Sequence, residues 1–125
     1  MKLKLSNSRI LTAIKVLTEL PATKDTKVAY ALCKNLLRLQ RAYEPCEVMR
    51  AKIFKEHFGD KTLEVPSTDP RVKGYQEAFS ELMQIEVEFE PYSLTPEMAA
   101  QFPPSITPAA FASLNFLFKI GRAHV

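Results

Sequence analysis

Five basic residues in one stretch of this chain share a helical phase: Lys27, Lys34, Arg38, Arg41 and Lys52. At about 100° per residue they fall within a narrow sector of a single helix. Arginine offers a planar, bidentate donor fork and lysine a compact cation, so such a stripe suits phosphates, a nucleotide or an acidic protein surface. Tyr30 and Tyr43 stand in the same stretch, where a tyrosine ring could stack on a base beside the arginines. A plainer account competes, because the sector lies opposite an apolar seam, where any soluble helix places its charges. Tyr43 lies in that seam, which favours a core role for it.

Other chemistry is poorly supplied. Of the three glycines, Gly59, Gly74 and Gly121, no set makes a phosphate-cradling loop. The histidines are His57 and His124, too few for a His-based triad or an ordinary zinc site. His57 falls near a helix C-terminus, where the helix dipole favours an imidazolium. Glu86, Glu88 and Glu90 alternate along one strand face, and pairing with lysines explains them better than a divalent cation does. No catalytic residue, metal or cofactor is expected, so the chain is expected to act by binding.

The elements that position these groups follow from periodicity. Met1 to Leu5 alternates Leu with Lys, the period of a half-buried strand. Asn7 or Ser8 can cap a helix with Ile10, Ile14 and Leu17 on one face, ending at Leu20-Pro21. Asp25 or Thr26 opens the longest segment. Its seam reads Ala29, Leu32, Leu36, Leu39, Tyr43 and Cys46, rejoined by Ile53. Pro45 inside it predicts a kink or a break, and Gly59 ends it.

Beyond Gly59, Thr62 to Val65 reads as a short strand. Asp69-Pro70 starts a helix whose apolar face is Val72, Tyr75, Phe79 and Leu82. Ile85 to Glu90 alternates as a strand stopped by Pro91. Its glutamates would face Lys2 and Lys4 if the two strands pair, each opposite pair contributing about 0.2–1 kcal/mol. Thr95-Pro96 and Thr107-Pro108 begin two turns, with Phe102-Pro103-Pro104 a loop between them. Phe111, Leu114, Leu117 and Phe118 then make an apolar helix that closes the core. The expected fold is α+β and mainly helical: one long kinked helix and two or three shorter ones on a small two- or three-stranded sheet.

Composition bounds the rest. The 125 residues suffice for one domain, expected over 1–119. No apolar run reaches the ~20 residues of a membrane span, and the start lacks the apolar stretch of a signal peptide. Cys33 and Cys46 are too far apart on one helix to bridge, so a reducing cytosol is expected. Charge is polarised. Residues 1–61 hold thirteen Lys and Arg against six Asp and Glu, a net of +7; residues 62–119 hold three against eight, a net of −5. Folding one half onto the other satisfies this, as does head-to-tail association, so a homo-oligomer is expected. The modest net charge argues against duplex binding.

Residues 120–125, Ile-Gly-Arg-Ala-His-Val, resemble the translation of a common sequencing adapter, ATC GGA AGA GCA CAC GTC, and are expected to be non-native. The order of elements also carries a resemblance. It runs from an MKLKL strand and an Ile/Leu helix ending in Leu-Pro to a long helix with Val28-Ala29-Tyr30-Ala31-Leu32. A Glu-Val-Glu-Phe-Glu strand and a proline-started last helix complete it. Together this resembles a group of small uncharacterised accessory proteins of tailed bacteriophages, on pattern over nearly all of 1–119. The resemblance implies a phage accessory gene expressed in the cytoplasm of an infected bacterium, and supplies no catalytic residues.

Overall fold

Leucine and lysine alternate in β1 (Leu3–Ser6), which turns Leu5 into the core and Lys4 outward. The structure is a computed structural model describing residues 2–59 and 68–118. β1 runs directly into α1 (Asn7–Glu19), capped by the Ser6 hydroxyl, which accepts from Arg9 N at 3.2 Å. The cap therefore falls ahead of both expected positions, one residue before Asn7 and two before Ser8. Asn7 is buried instead: its Nδ2 donates to the Leu82 carbonyl and its backbone N–H to Ile85 O. Those bonds tie the first turn of α1 to the end of the third helix.

α2 (Thr26–Phe58) is capped by Asp25, whose Oδ1 accepts from Val28 N at 3.0 Å, and ends at Gly59, which takes φ 67°. It is continuous through Pro45, so the break allowed for at that residue does not occur. Proline removes one i→i−4 bond, and the packed turns on either side retain the helix. The buried seam also differs in phase. Val28, Ala31, Asn35, Leu39, Tyr43, Cys46, Ile53 and Phe58 face the core, while Ala29, Leu32 and Leu36 are only half-buried. A buried asparagine shifts the first half of the stripe by one residue.

α3 (Arg71–Gln84) has Pro70 itself at the cap position, one residue later than the expected Asp69 cap. Asp69 stands just outside, where its Oδ1 accepts from Arg71 N at 2.9 Å and its carboxylate also takes the Arg71 guanidinium. Of the expected face, Leu82 is buried, whereas Val72, Tyr75 and Phe79 are half-buried. Tyr75 enters an aromatic group with Phe54 and Phe58 of α2. Gly74 lies against His57, where a Cβ would come within 3.2 Å of the imidazole. His57 occupies the last turn of α2, and its Nδ1 donates to the Ile53 carbonyl at 2.8 Å. The strand expected at Thr62–Val65 lies outside the described residues, as does the tail.

β2 (Glu86–Phe89) pairs antiparallel with β1, placing Lys4 opposite Glu88 as the charge pattern anticipated. Past Pro91, a 3-10 turn (Pro96–Gln101) leads to α4 (Pro108–Ser113), capped by the Thr107 hydroxyl. The expected last helix is shorter than its apolar pattern. Helical turns stop at Ser113, a 3-10 turn follows over Asn115–Leu117, and Phe118 bridges Leu94 in parallel. Leu94, Leu114 and Leu117 are fully buried there. The whole is an α+β, mainly helical fold, with α2 as its spine and α1 and α3 packed along it.

Tyr43 and Cys46 meet Met83 of α3 in this core, at 3.9 and 3.8 Å from its sulfur. Burial is the main cause that pushes the Tyr43 hydroxyl up to about 12. An unfolded tyrosine ionises near 10, so between about pH 10 and 12 the unfolded chain loses its proton first. Stability from this group is whole below pH 10 and falls by on the order of 2 kcal/mol as pH approaches 12. Urea titrations at stepped alkaline pH should show that decline in the wild type and a shallower one in Tyr43→Phe.

Candidate ligand-binding face of the long helix

A little over two turns of α2 bring Tyr30, Lys34 and Arg38 to one face, and a segment far away in sequence meets them. Tyr92, just past β2 and Pro91, packs its ring edge-on against Tyr30 with centroids 5.9 Å apart. Lys34 Nζ lies 5.0 Å from the Tyr92 centroid and 5.7 Å from that of Tyr30. The Arg38 guanidinium carbon stands 5.8 Å from the Tyr92 centroid, and its Nη1 donates to the Glu90 carbonyl at 3.1 Å. Cations over tyrosine faces gain about 0.5–1 kcal/mol each at exposed sites, which offsets part of the entropy lost in fixing two flexible side chains.

Asn35 fixes the geometry from below. It is fully buried, and its Oδ1 accepts from Tyr92 N at 2.9 Å while Nδ2 donates to Tyr92 O at 2.8 Å. Nδ2 also reaches the Ala31 carbonyl at 3.0 Å. A side-chain amide thus reads both backbone groups of one residue, as a neighbouring strand would. The result is a hollow of about 380 Å³ lined by Tyr30, Cys33, Lys34, Leu37, Arg38 and Arg41.

The expected stripe therefore divides. Lys34, Arg38 and Arg41 line the hollow together with Tyr30, whereas Lys27 and Lys52 are exposed on α2 outside it. Tyr43 takes no part. It is 5% exposed within the core and so does not stand beside Tyr30 as a stacking residue, contrary to the expectation. Tyr92 and Asn35 escaped the sequence reading. Tyr92 follows a proline with no periodic partner, and Asn35 is a polar residue at an apolar spacing.

The chain matches no protein-family model, no curated protein and no solved structure. What the face can do follows from its chemistry. An adjoining hollow is lined by Arg38 and Arg41 on one side and by Glu88, Phe89 and Glu90 of the β2 region on the other. The acidic strand thus lies beside the basic helix, so part of the charge polarity is met within the chain. Among the described residues, no three His, Cys, Asp or Glu side chains gather closely enough to hold a metal ion. No described helix is long and apolar enough to cross a membrane. Cys33 is exposed at the rim of the first hollow, and Cys46 is buried; both are free thiols.

Proposed function

We propose that this protein acts by binding, and that its ligand is a phosphate-bearing nucleotide held in the hollow of α2. One observation carries the reading: Lys34 and Arg38 lie against the rings of Tyr30 and Tyr92 beside one hollow that Tyr30, Lys34, Arg38 and Arg41 line, with Asn35 fixing the backbone of Tyr92. Lys34, Arg38 and Arg41 would take the phosphates, and the exposed face of Tyr30 would stack on the base. With the resemblance to phage accessory proteins, the biological role that fits is counter-defence. The protein would sequester a nucleotide signal of bacterial immunity, or cover an acidic host protein, in the cytoplasm of the infected cell. A structural or assembly role in the phage particle is the second reading, favoured by the exposed apolar side chains of Tyr30, Leu37 and Val48 on the same helix. Co-purification with virion components would mark that role. Single-stranded nucleic acid ranks below both, and would show affinity that falls steeply with salt.

A panel of linear and cyclic nucleotides read by thermal unfolding tests the reading. A ligand at 100-fold its Kd adds about 2.7 kcal/mol, a rise in Tm of roughly 10 °C for a domain of this size. Lys34→Glu with Arg38→Glu should abolish the rise while leaving the helical circular dichroism unchanged. A flat response across the whole panel overturns the nucleotide reading.

A further inference from the structure

The outward face of α2 carries a line of side chains with an internal symmetry. Tyr30, Leu37 and Val48 are 56%, 55% and 59% exposed, unusual for large apolar residues, and all three fall on one side of the helix. Arg41 and Glu44, both exposed, stand between Leu37 and Val48. The positions 30, 34, 37, 41, 44, 48 and 51 alternate spacings of four and three, the pattern of a seam that meets another helix. That seam is self-complementary. Leu37 and Val48 are equidistant from the midpoint between Ala42 and Tyr43, and so are Arg41 and Glu44.

We infer that α2 pairs antiparallel with α2 of a second copy about a two-fold axis passing between Ala42 and Tyr43. Reversal about that axis sets Val48 of the partner subunit level with Leu37, and Glu44 of the partner subunit level with Arg41. Each contact occurs twice by symmetry, so both exposed apolar pairs and both charges find complements. A parallel arrangement in register would instead oppose Arg41 to Arg41 and Glu44 to Glu44. The charge order on the face therefore selects the second copy and its direction.

The pairing also explains the length of the basic stripe. Lys34 and Lys52 lie about 27 Å apart along one helix at ~1.5 Å rise per residue, too far to grip one small ligand. In the antiparallel pair, Lys52 of the partner subunit comes level with Cys33, one residue from Lys34, on the flank that Lys34 occupies. The small Ala51 of the partner subunit faces Lys34 across the seam and leaves room beside it. In the pair, Arg41 is taken up by Glu44 of the partner subunit and the partner helix roofs the hollow, so the anion sites are left on the flank of the seam: each gathers Lys34, Arg38 and the partner's Lys52, two identical sites in all. This last step rests on the ligand reading above; the pairing does not.

Sedimentation velocity on the unliganded protein at micromolar concentration should give the mass of two chains. Arg41→Glu should raise the dimer dissociation constant about tenfold or more, as should Glu44→Arg, and the double variant R41E/E44R should restore it. Both positions are exposed, so folding is spared. A monomeric wild type, or a double variant no better than either single one, overturns the pairing. Titration with inorganic pyrophosphate tests the composite site: Lys52→Glu should weaken binding about tenfold although Lys52 lies outside the hollow of its own chain. Pyrophosphate binding indifferent to Lys52→Glu overturns the composite site. If pyrophosphate fails to bind at all while the charge-swap series behaves as stated, the pairing is upheld and the ligand reading is what fails.

Discussion

Asn35→Ala should lower the free energy of unfolding by about 2–4 kcal/mol, far more than an asparagine in the middle of a helix normally contributes. Three hydrogen bonds end on this one amide, two of them on the backbone of Tyr92. Alanine leaves the Tyr92 N–H and carbonyl without those partners, and each partly buried group so orphaned costs about 1–3 kcal/mol. The shift in helix propensity toward alanine recovers only a fraction of that. Asn35→Asp should be no rescue, because a carboxylate keeps the acceptor for Tyr92 N, loses the donor and introduces a buried charge. Urea unfolding of the two variants beside an exposed control, Gln40→Ala, measures the difference. The control should stay within about 0.5 kcal/mol of wild type. If Asn35→Ala does the same, Tyr92 is held by something other than this clamp. Nucleotide affinity should drop in parallel, since the Tyr92 ring steadies Lys34 and Arg38.

The second large effect is expected at Leu117→Ala, a loss of about 2–5 kcal/mol. Leu117 is fully buried, its carbonyl accepts from Leu94 N at 2.9 Å, and the adjoining Phe118 completes a ring cluster with Phe102 and Phe111. The backbone bond survives the substitution, so the change isolates the apolar contribution. Truncation there opens space under the segment that follows Leu94, which joins the β2 region to the last helix. Heat unfolding should show one lowered transition. Two resolved transitions would mean that the C-terminal segment is a separate cooperative unit rather than part of the common core.

Most of the framework was written in local chemistry. Asp25 and Thr107 announced their helices because a short polar side chain satisfies first-turn N–H groups wherever it stands. Lys4 and Glu88 announced their pairing because the strand period of two puts one charge type on each outer face. Errors arose where a tertiary partner overrode the local pattern. Spacing alone puts Ala29, Leu32 and Leu36 in the seam of α2, because a polar Asn35 carries no apolar signal. Its burial makes sense only once Tyr92, 57 residues away, is in place. Pro45 looks like a break until the packing on both sides of it is known. The basic stripe was legible as a stripe, but not its division: whether Lys34 differs from Lys27 depends on which loop crosses the helix, and periodicity carries no such information. Tyr92 gave no signal at all. Its role comes from following Pro91, which ends β2 and delivers the next residue across α2.

The two-stranded sheet joins Leu3–Ser6 to Glu86–Phe89, so β1 has no mate until about eighty further residues have been made. At about 5–20 residues per second, β1 waits on the order of 4–17 s outside the ribosome with bare backbone donors and acceptors. During that interval Lys2 and Lys4 act as gatekeepers, since a charged, alternating edge is a poor template for a neighbouring nascent chain.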